Sequence, residues 1–420
     1  MFKTLTNAWK LPDMRKKILY TLLMLLVFRI GSFVPVPGVN VAYVADQVQS
    51  MDLLGLLDIM SGGSLSNVTI FALGIMPYIN ASIIMQLLTI AIPKLEQMAK
   101  EGEDGRTKIA SITRYLGVII GLIQAIGIIV GMGPNAVEDP NNFFNYVTIV
   151  ACLTAGTALI MWIGERITEN GIGNGISLLI FIGIIARFPS EVYKIANSAS
   201  LGGTNMWSIV LLIAVAFAIV VGIVFVDMGE RRIPINYAKR VVGRKMYSGQ
   251  STYIPMKVNQ SGVMPLIFAI TIMTFPGMIA QFFKDSGFYE WYNMYFSQGS
   301  VAYIIVYALL ILFFTYFYSQ IAFNPVDVAR NLQQNGGAIT GIRPGKPTSD
   351  YLAKILSRIT FFGALFLALI AAVPSLFSLL TGTSTVFGAT SLLIMVSVAL
   401  ETTRSIESQL IMRSYKGFLE

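Results

Sequence analysis

The sequence predicts an all-α integral membrane protein, and three observations predict it. Of 420 residues, 55% are hydrophobic and 12% charged, with a mean hydropathy of +0.68; a soluble domain carries about 25% charge. Apolar runs close to the ~20 residues that cross a ~30 Å hydrocarbon layer recur along the whole chain. These runs do not alternate polar with apolar, as the strands of a lipid-facing barrel would, and unpaired backbone in lipid favours helices. The same composition excludes a disordered or nucleic-acid-scanning chain and disfavours a soluble enzyme.

Ten spans can be read in order: Ile18–Val34, Leu73–Ile92, Leu116–Met132, Val147–Ile163, Ile176–Phe188, Ile209–Val226, Val263–Phe283, Ala302–Phe323, Ile359–Pro374 and Gly388–Leu400. With this spacing, 26 of the 30 Lys and Arg residues fall in the N-terminus, the even-to-odd connections and the tail. Arg187, Lys194 and Lys284 fall opposite, and Arg29 lies within the first span. By the positive-inside rule both termini are cytoplasmic, and the expected location is the cell membrane. The first run lacks a small-residue cleavage site and reads as a retained helix.

The chain has no histidine and one cysteine, Cys152, which excludes internal disulfides, His/Cys metal sites and Cys–His catalysis. Cys152 reads as a small buried thiol. No cofactor is expected.

The second span carries Gly74-Ile75-Met76-Pro77 and the seventh Gly262-Val263-Met264-Pro265. These are the second members of consecutive sets of five, and five spans reverse the orientation of the next set. The match therefore favours an inverted repeat, with the pathway between the halves, over two chance kinks. The halves are expected at 1–188 and 189–404, with a cytoplasmic tail at 405–420. Arg29 is the only charge well inside a span, whereas ion-coupled transporters keep ionisable groups at mid-membrane. The pathway reads as passive, or driven from outside the chain.

Between spans one and two, Met51 to Ser64 is apolar, too short to span, and ends in Ser61-Gly62-Gly63-Ser64, which breaks a helix. Two readings fit equally: a re-entrant helix lining a cavity, or an amphipathic helix at the interface. The 2–3 loop, Pro93 to Arg114, reads as solvated and turn-rich. Gly171-Ile172-Gly173-Asn174-Gly175 lacks the strand and spacing of a nucleotide site and reads as a flexible start to the fifth span. The 6–7 loop, 227–259, reads as a hairpin of Arg232–Ala238 and Ser251–Val258 with a basic tip that includes Arg240, Arg244 and Lys245. In the 8–9 loop, 322–358, Asn324-Pro325 opens a helix that Gly336-Gly337 ends. A tight turn at Gly341 to Gly345 follows, and Thr348-Ser349-Asp350 caps another short helix. Two structured loops suggest a docking platform for a large, partly acidic partner, ribosomal RNA among the candidates.

Motifs along nearly the whole chain resemble those of the bacterial SecY family, the channel subunits of the Sec protein translocon. They are FRIGSFVPVPG (28–38), SGGSLSNVTIFALGIMPYINASIIMQLLT (61–89), EGEDGRTKIA (101–110), GERITENGIGNGIS (164–177), ERRIPINYAKR (230–240), QSTYIPMKVN (250–259), GVMPLIF (262–268), FNPVDVARNL (323–332), GIRPG (341–345) and TSLLI (390–394). The resemblance implies ten transmembrane helices in two inverted five-helix halves around a central hourglass pore. It implies an apolar ring at Ile75, Ile79, Ile176, Ile180, Ile267 and Ile394, each of which taken alone reads as a core isoleucine. It turns 51–64 into a plug that includes Leu53, Leu54, Leu57, Asp58, Ile59, Met60, Ser61 and Gly62. A lateral gate follows between spans two/three and seven/eight, with Gln86 and Gln124 near the seam. Arg343 and the hairpin bases Arg240, Arg244 and Lys245 become contacts for the SecA motor or the ribosome. SecE and SecG subunits, signal peptides, unfolded preproteins and the lipid membrane are the other implied partners.

The function expected is a protein-conducting channel that moves unfolded preproteins across the membrane and membrane proteins laterally into it, driven by SecA or the ribosome. A small-solute transporter is also built on inverted repeats but would need mid-membrane ionisable groups. A membrane enzyme would need polar clusters within the spans. Neither feature is read here, and the chain is not expected to be an enzyme.

Overall fold

A computed structural model describes residues 6, 8–50, 55, 58–200, 206–237, 240–242, 245–247, 251–281, 286–296, 300–381 and 389–416. The helices in order are α1 (Pro12–Gly31), α2 (Val41–Ser50), α3 (Met76–Ala91), α4 (Pro93–Lys100), α5 (Glu103–Met132), α6 (Phe143–Asn170), α7 (Gly175–Ser200) and α8 (Met206–Met228). After the hairpin come α9 (Met264–Gln281), α10 (Gly287–Phe296), α11 (Val301–Ala322), α12 (Pro325–Gln334), α13 (Lys346–Thr381) and α14 (Ala389–Lys416). The described part of each of the ten apolar runs lies mainly in a helix. Among the described residues, α5, α6, α13 and the helix opening at Val301 are long and apolar enough to cross a bilayer alone.

These helices are apolar outside as well as inside. On α1, Leu19, Leu22, Leu23, Leu26 and Ile30 are each about half exposed, at the three- and four-residue spacing of one face. Ile119, Ile123, Ile126 and Val130 do the same on α5, and Phe362, Leu365 and Leu369 on α13. Continuous apolar faces of this kind need a hydrocarbon solvent; the chain is a multi-pass membrane protein.

Helices α3, α5, α6 and α7 pack in succession, with α1 on α6; α9, α11 and α13 pack in succession, with α8 on α14. The two groups meet along two seams. At one, α3 and α5 lie against α9; at the other, α7 lies against α14. A single apolar cluster runs through both groups.

Three loop readings are corrected. The 2–3 connection is helical, not a turn-rich loop: α4 starts at a proline, bends about 100° from α3, and α5 begins at Glu103. Proline at a first helical position lacks only an N–H that would be orphaned anyway, so Pro93 ends α3 and opens α4. Thr348-Ser349-Asp350 does not cap a separate short helix, because α13 runs unbroken from Lys346 into the ninth span. Gly171 to Gly175 is not a flexible start. A Cβ on Gly175 would sit 2.0 Å from the Gly164 carbonyl, Gly173 has φ +71°, and Asn174 Oδ1 accepts from Ile176 N at 3.0 Å as the cap of α7. Close packing, not looseness, is what these glycines supply.

The 6–7 and 8–9 loops fold as one body. β1 (Glu230–Tyr237) pairs antiparallel with β4 (Ser251–Lys257), Ile233 opposite Ile254, and β2 (Arg240–Val242) with β3 (Lys245–Tyr247) towards the tip. A strand not foreseen in the 8–9 loop, β5 (Gly337–Ile339), adds to the free edge of β1 through Ile235↔Ile339, giving the order β4-β1-β5. Ile233, Met256 and Ile339 bury against Leu352, Ile355 and Leu356 of α13.

The fit at Gly175 yields a stability test. Gly175→Ala is expected to destabilise the folded chain by about 1–3 kcal/mol, read as a lowered unfolding temperature in detergent. Gly287→Ala, where an added Cβ meets no atom within 4 Å, should leave that temperature unchanged.

Candidate pore ring, plug segment and helix seam

Two repeated local geometries set the apolar positions at mid-molecule. Gly74 and Gly262 both turn the chain through positive φ, 58° and 63°. The next carbonyl then accepts two amides. Ile75 O accepts from Tyr78 N at 3.1 Å and Ile79 N at 3.2 Å; Val263 O accepts from Leu266 N at 3.1 Å and Ile267 N at 3.3 Å. The Gly-x-Met-Pro sequence therefore marks two helix starts, with proline in the first turn of α3 and of α9. Ile79 and Ile267 stand at the same place in the repeated unit. A second repeat lies on the fifth and tenth spans: Ser177-Leu178-Leu179-Ile180 on α7 and Ser391-Leu392-Leu393-Ile394 on α14. That identity is the sequence signal for a further correspondence between the two sets of helices.

Of the six ring candidates, Ile75, Ile79, Ile180, Ile267 and Ile394 are buried, none more than 6% exposed. Ile176 is half-buried against the same apolar cluster. Ile75 and Ile176 converge on Gly164 of α6, where an added Cβ would lie 3.7 Å from Ile75 Cδ1 and 3.4 Å from Ile176 Cγ1.

Leu53, Leu54 and Leu57 lie outside the described residues. Asp58, Ile59 and Met60 form the end of a short helical stretch, and Ser61 and Gly62 begin an irregular run that reaches Ile75. All five are buried. Hydrogen bonds hold this run throughout: Gly63 N to Asp58 O at 2.8 Å, Ser66 N to Asp58 Oδ1 at 2.8 Å, Thr69 N to Ser64 O at 2.9 Å and Ile70 N to Val34 O at 3.0 Å. Non-helical backbone surrounded by apolar helices needs such satisfaction.

Two bases that the sequence reading left without a role close on this run. Arg29 of α1 donates Nη1 to the Gly62 carbonyl at 3.2 Å and stacks on Phe33 at 4.6 Å from the ring centroid. Arg187 of α7 pairs with the Asp58 carboxylate and donates to Ser66 Oγ at 3.4 Å. The signal available was Arg29 itself, the single charge inside a span. Arg187 gave a weaker signal, as one of three bases set opposite the basic side, and nothing in the sequence names its partner.

At the seam of α3 and α5 with α9, Gln86 of α3 accepts from the Tyr318 hydroxyl of α11 and donates to Ser82 Oγ at 3.2 Å. Tyr318 packs on Phe268 of α9 at 4.8 Å between centroids, and Phe268 meets Phe314 edge-on at 5.9 Å. Gln124 of α5 is buried, with its amide nitrogen lacking a partner among the described residues. Tyr318, which sequence reasoning missed, supplies the polar partner for one glutamine of the two.

On the body formed by the two loops, Arg240 and Lys245 stand in β2 and β3, and Arg244 lies outside the described residues. Arg343 is exposed on the turn after β5, whose conformation is fixed by Thr348 Oγ1 donating to the Arg343 carbonyl at 2.8 Å. Where the hairpin joins the membrane helices, Asn259 donates to Asp227 Oδ1 at 2.8 Å and Arg404 of α14 donates to the Asp227 carbonyl at 2.5 Å. Burial, with Arg404 nearby, pushes the Lys257 ammonium below its ordinary range.

The SecY family model matches residues 69–403. The chain is 46% identical to the protein translocase subunit SecY of Streptomyces galbus and 47% identical to that of Halalkalibacterium halodurans, in each case over all of both chains. Among solved structures it is similar to a protein-conducting channel, with a TM-score of 0.68 at 17% identity over 94% of this chain and 93% of the other. It is also similar to Sec61 in the canine ribosome–channel complex, with a TM-score of 0.65 over 94% and 93%. Sequence and fold agree: the chain belongs to the SecY family.

Proposed function

We propose that this chain is a protein-conducting channel of the cell membrane, which passes unfolded preproteins across it and releases membrane segments sideways into lipid. The observation that carries the reading is the pairing of repeated helix starts, Gly74-Ile75-Met76-Pro77 with Gly262-Val263-Met264-Pro265, around one apolar centre without any mid-span carboxylate. Ten membrane helices form two inverted halves, 1–188 and 189–404, around an hourglass pore, with both termini cytoplasmic. SecE and SecG complete the assembly, and SecA or the ribosome supplies the energy.

The physical logic of the ring is dewetting. A neck of branched apolar side chains at Ile75, Ile79, Ile176, Ile180, Ile267 and Ile394 repels water and so the hydrated ions that need it. Around a moving polypeptide the same side chains yield, offering no hydrogen bonds for the substrate to break. Residues 51–64 are the plug on the outer side. The seam of α3 and α5 against α9 and α11 is the lateral gate. Its few polar groups, Gln86 with Tyr318 and Gln124 with its unpartnered amide nitrogen, hold less tightly than a fully interlocked interface, which suits a seam that must part.

Reconstitution of the assembled channel with SecA, ATP and a preprotein tests the function; protease-protected preprotein inside the vesicles is the expected result, and its absence in active vesicles overturns the reading. Replacing the six ring isoleucines with serine should make resting vesicles leak ions, measured as collapse of an imposed potassium gradient. Reversing charge at Arg240, Arg244 and Arg343 together should weaken binding of SecA or ribosomes by about tenfold while leaving that resting leak unchanged, measured by co-sedimentation with proteoliposomes.

A further inference from the structure

The plug reading leaves unexplained why a carboxylate and two guanidinium groups converge at the C-terminal end of that segment. Asp58 is 1% exposed. One of its oxygens accepts from Ser66 N at 2.8 Å, and Arg187 of α7 pairs with the other. Arg187 also reaches Ser66 Oγ at 3.4 Å, so it grips both ends of the turn that Asp58 closes. From α1, Arg29 holds the Gly62 carbonyl at 3.2 Å. Between them the backbone of the segment lies directly on α7. A Cβ added at Gly183 would sit 2.8 Å from Met60 O, and one at Gly62 would sit 3.0 Å from the Gly183 Cα. Gly183 is therefore a seat, open only to bare backbone.

Resting on the plug reading above, we propose that Asp58, Arg187 and Arg29 are positioning residues that latch the plug shut against α1 and α7. A buried carboxylate is costly unless paired and hydrogen-bonded. In the seated position Asp58 has both, and lifting the segment removes its cation before water can reach it. The cost of unseating therefore comes early in the motion, which makes the closed state a trap rather than a shallow minimum. The two arginines come from α1 and α7 and none from the α9 side of the seam. A parting of that seam therefore leaves the latch in place, and the plug moves only when α7 shifts or when a chain in the pore competes for Asp58. The partner that would release it is thus a translocating segment carrying a basic residue.

The test uses the full chain assembled with its small membrane subunits in planar bilayers, recording spontaneous ion-conducting events. Asp58→Asn and Arg187→Gln should each raise the opening frequency about tenfold or more, as expected for loss of one charged hydrogen-bond partner. The double variant Asp58→Asn/Arg187→Gln should open no more often than the worse single variant, since the pair is lost only once. Arg187→Lys, which keeps the charge, should restore most of the seal. Single variants as silent as the parent, or effects that simply add in the double variant, would overturn the latch. The serine-substituted ring serves as the control. If it leaks while the single variants stay silent, the latch alone fails; if it too is silent, the channel reading fails with it.

Discussion

Backbone amides and carbonyls have no water to turn to inside a hydrocarbon layer, and this one constraint shapes every element of the molecule. Helices meet it without help, which is why the long apolar runs are helical irrespective of propensity. Residues 58–75 meet it differently. They are irregular and buried, and each turn is closed by local hydrogen bonds, by strand-like contacts to Val34 and Val36, or by arginine side chains. A segment satisfied in this way is stable where it sits without being helical.

The same reasoning explains where the polar contacts of the seam are placed. Lipid offers helices no hydrophobic drive to associate, so contact rests on packing and a few hydrogen bonds. Across α3, α5, α9 and α11 the packing includes the aromatic rings of Phe268, Phe314 and Tyr318, and a side-chain hydrogen bond joins Tyr318 to Gln86. The body formed by the two loops connects directly to these helices. β4 ends at Lys257 and α9 begins at Met264, while β5 and α12 lie between α11 and α13. Because β5 is hydrogen-bonded to β1, a load on either loop reaches the helices beside the seam through one sheet rather than through two independent tethers.

Much of this was legible in the sequence. The apolar helices, the hairpin and the Asn324-Pro325 helix start follow from local chemistry, since apolar length, strand alternation and proline at a helix start are short-range signals. Hydrogen bonding of β5 to β1 was not legible, because edge pairing between distant loops leaves no local trace. The continuity of α13 was hidden because Thr348-Ser349-Asp350 reads as a cap, while its actual partner, the Arg343 carbonyl, lies in the preceding turn. Gly171 to Gly175 misled for a related reason: glycine signals either freedom or close contact, and only the packing at Gly164 decides between them. Arg29 was conspicuous as a charge in a span. Its acceptor, a backbone carbonyl more than thirty residues away, could not be read from the sequence.

On the proposed channel of two related halves, the two repeated motifs separate the ring positions that derive from symmetry from those that do not. Superimposing Gly-x-Met-Pro pairs Ile79 with Ile267, and superimposing Ser-Leu-Leu-Ile pairs Ile180 with Ile394. These four are two sets of equivalents contributed by the two halves. The remaining candidates have different counterparts: Val263 stands where Ile75 does, and Thr390 where Ile176 does. On the channel reading the constriction is therefore not evenly shared, and its extra bulk comes from the first half. That half also supplies α7, the helix on which the segment ending at Gly62 is seated. Closing the pore then falls mainly to the first half, and the second half can swing at the seam without having to carry the seal with it.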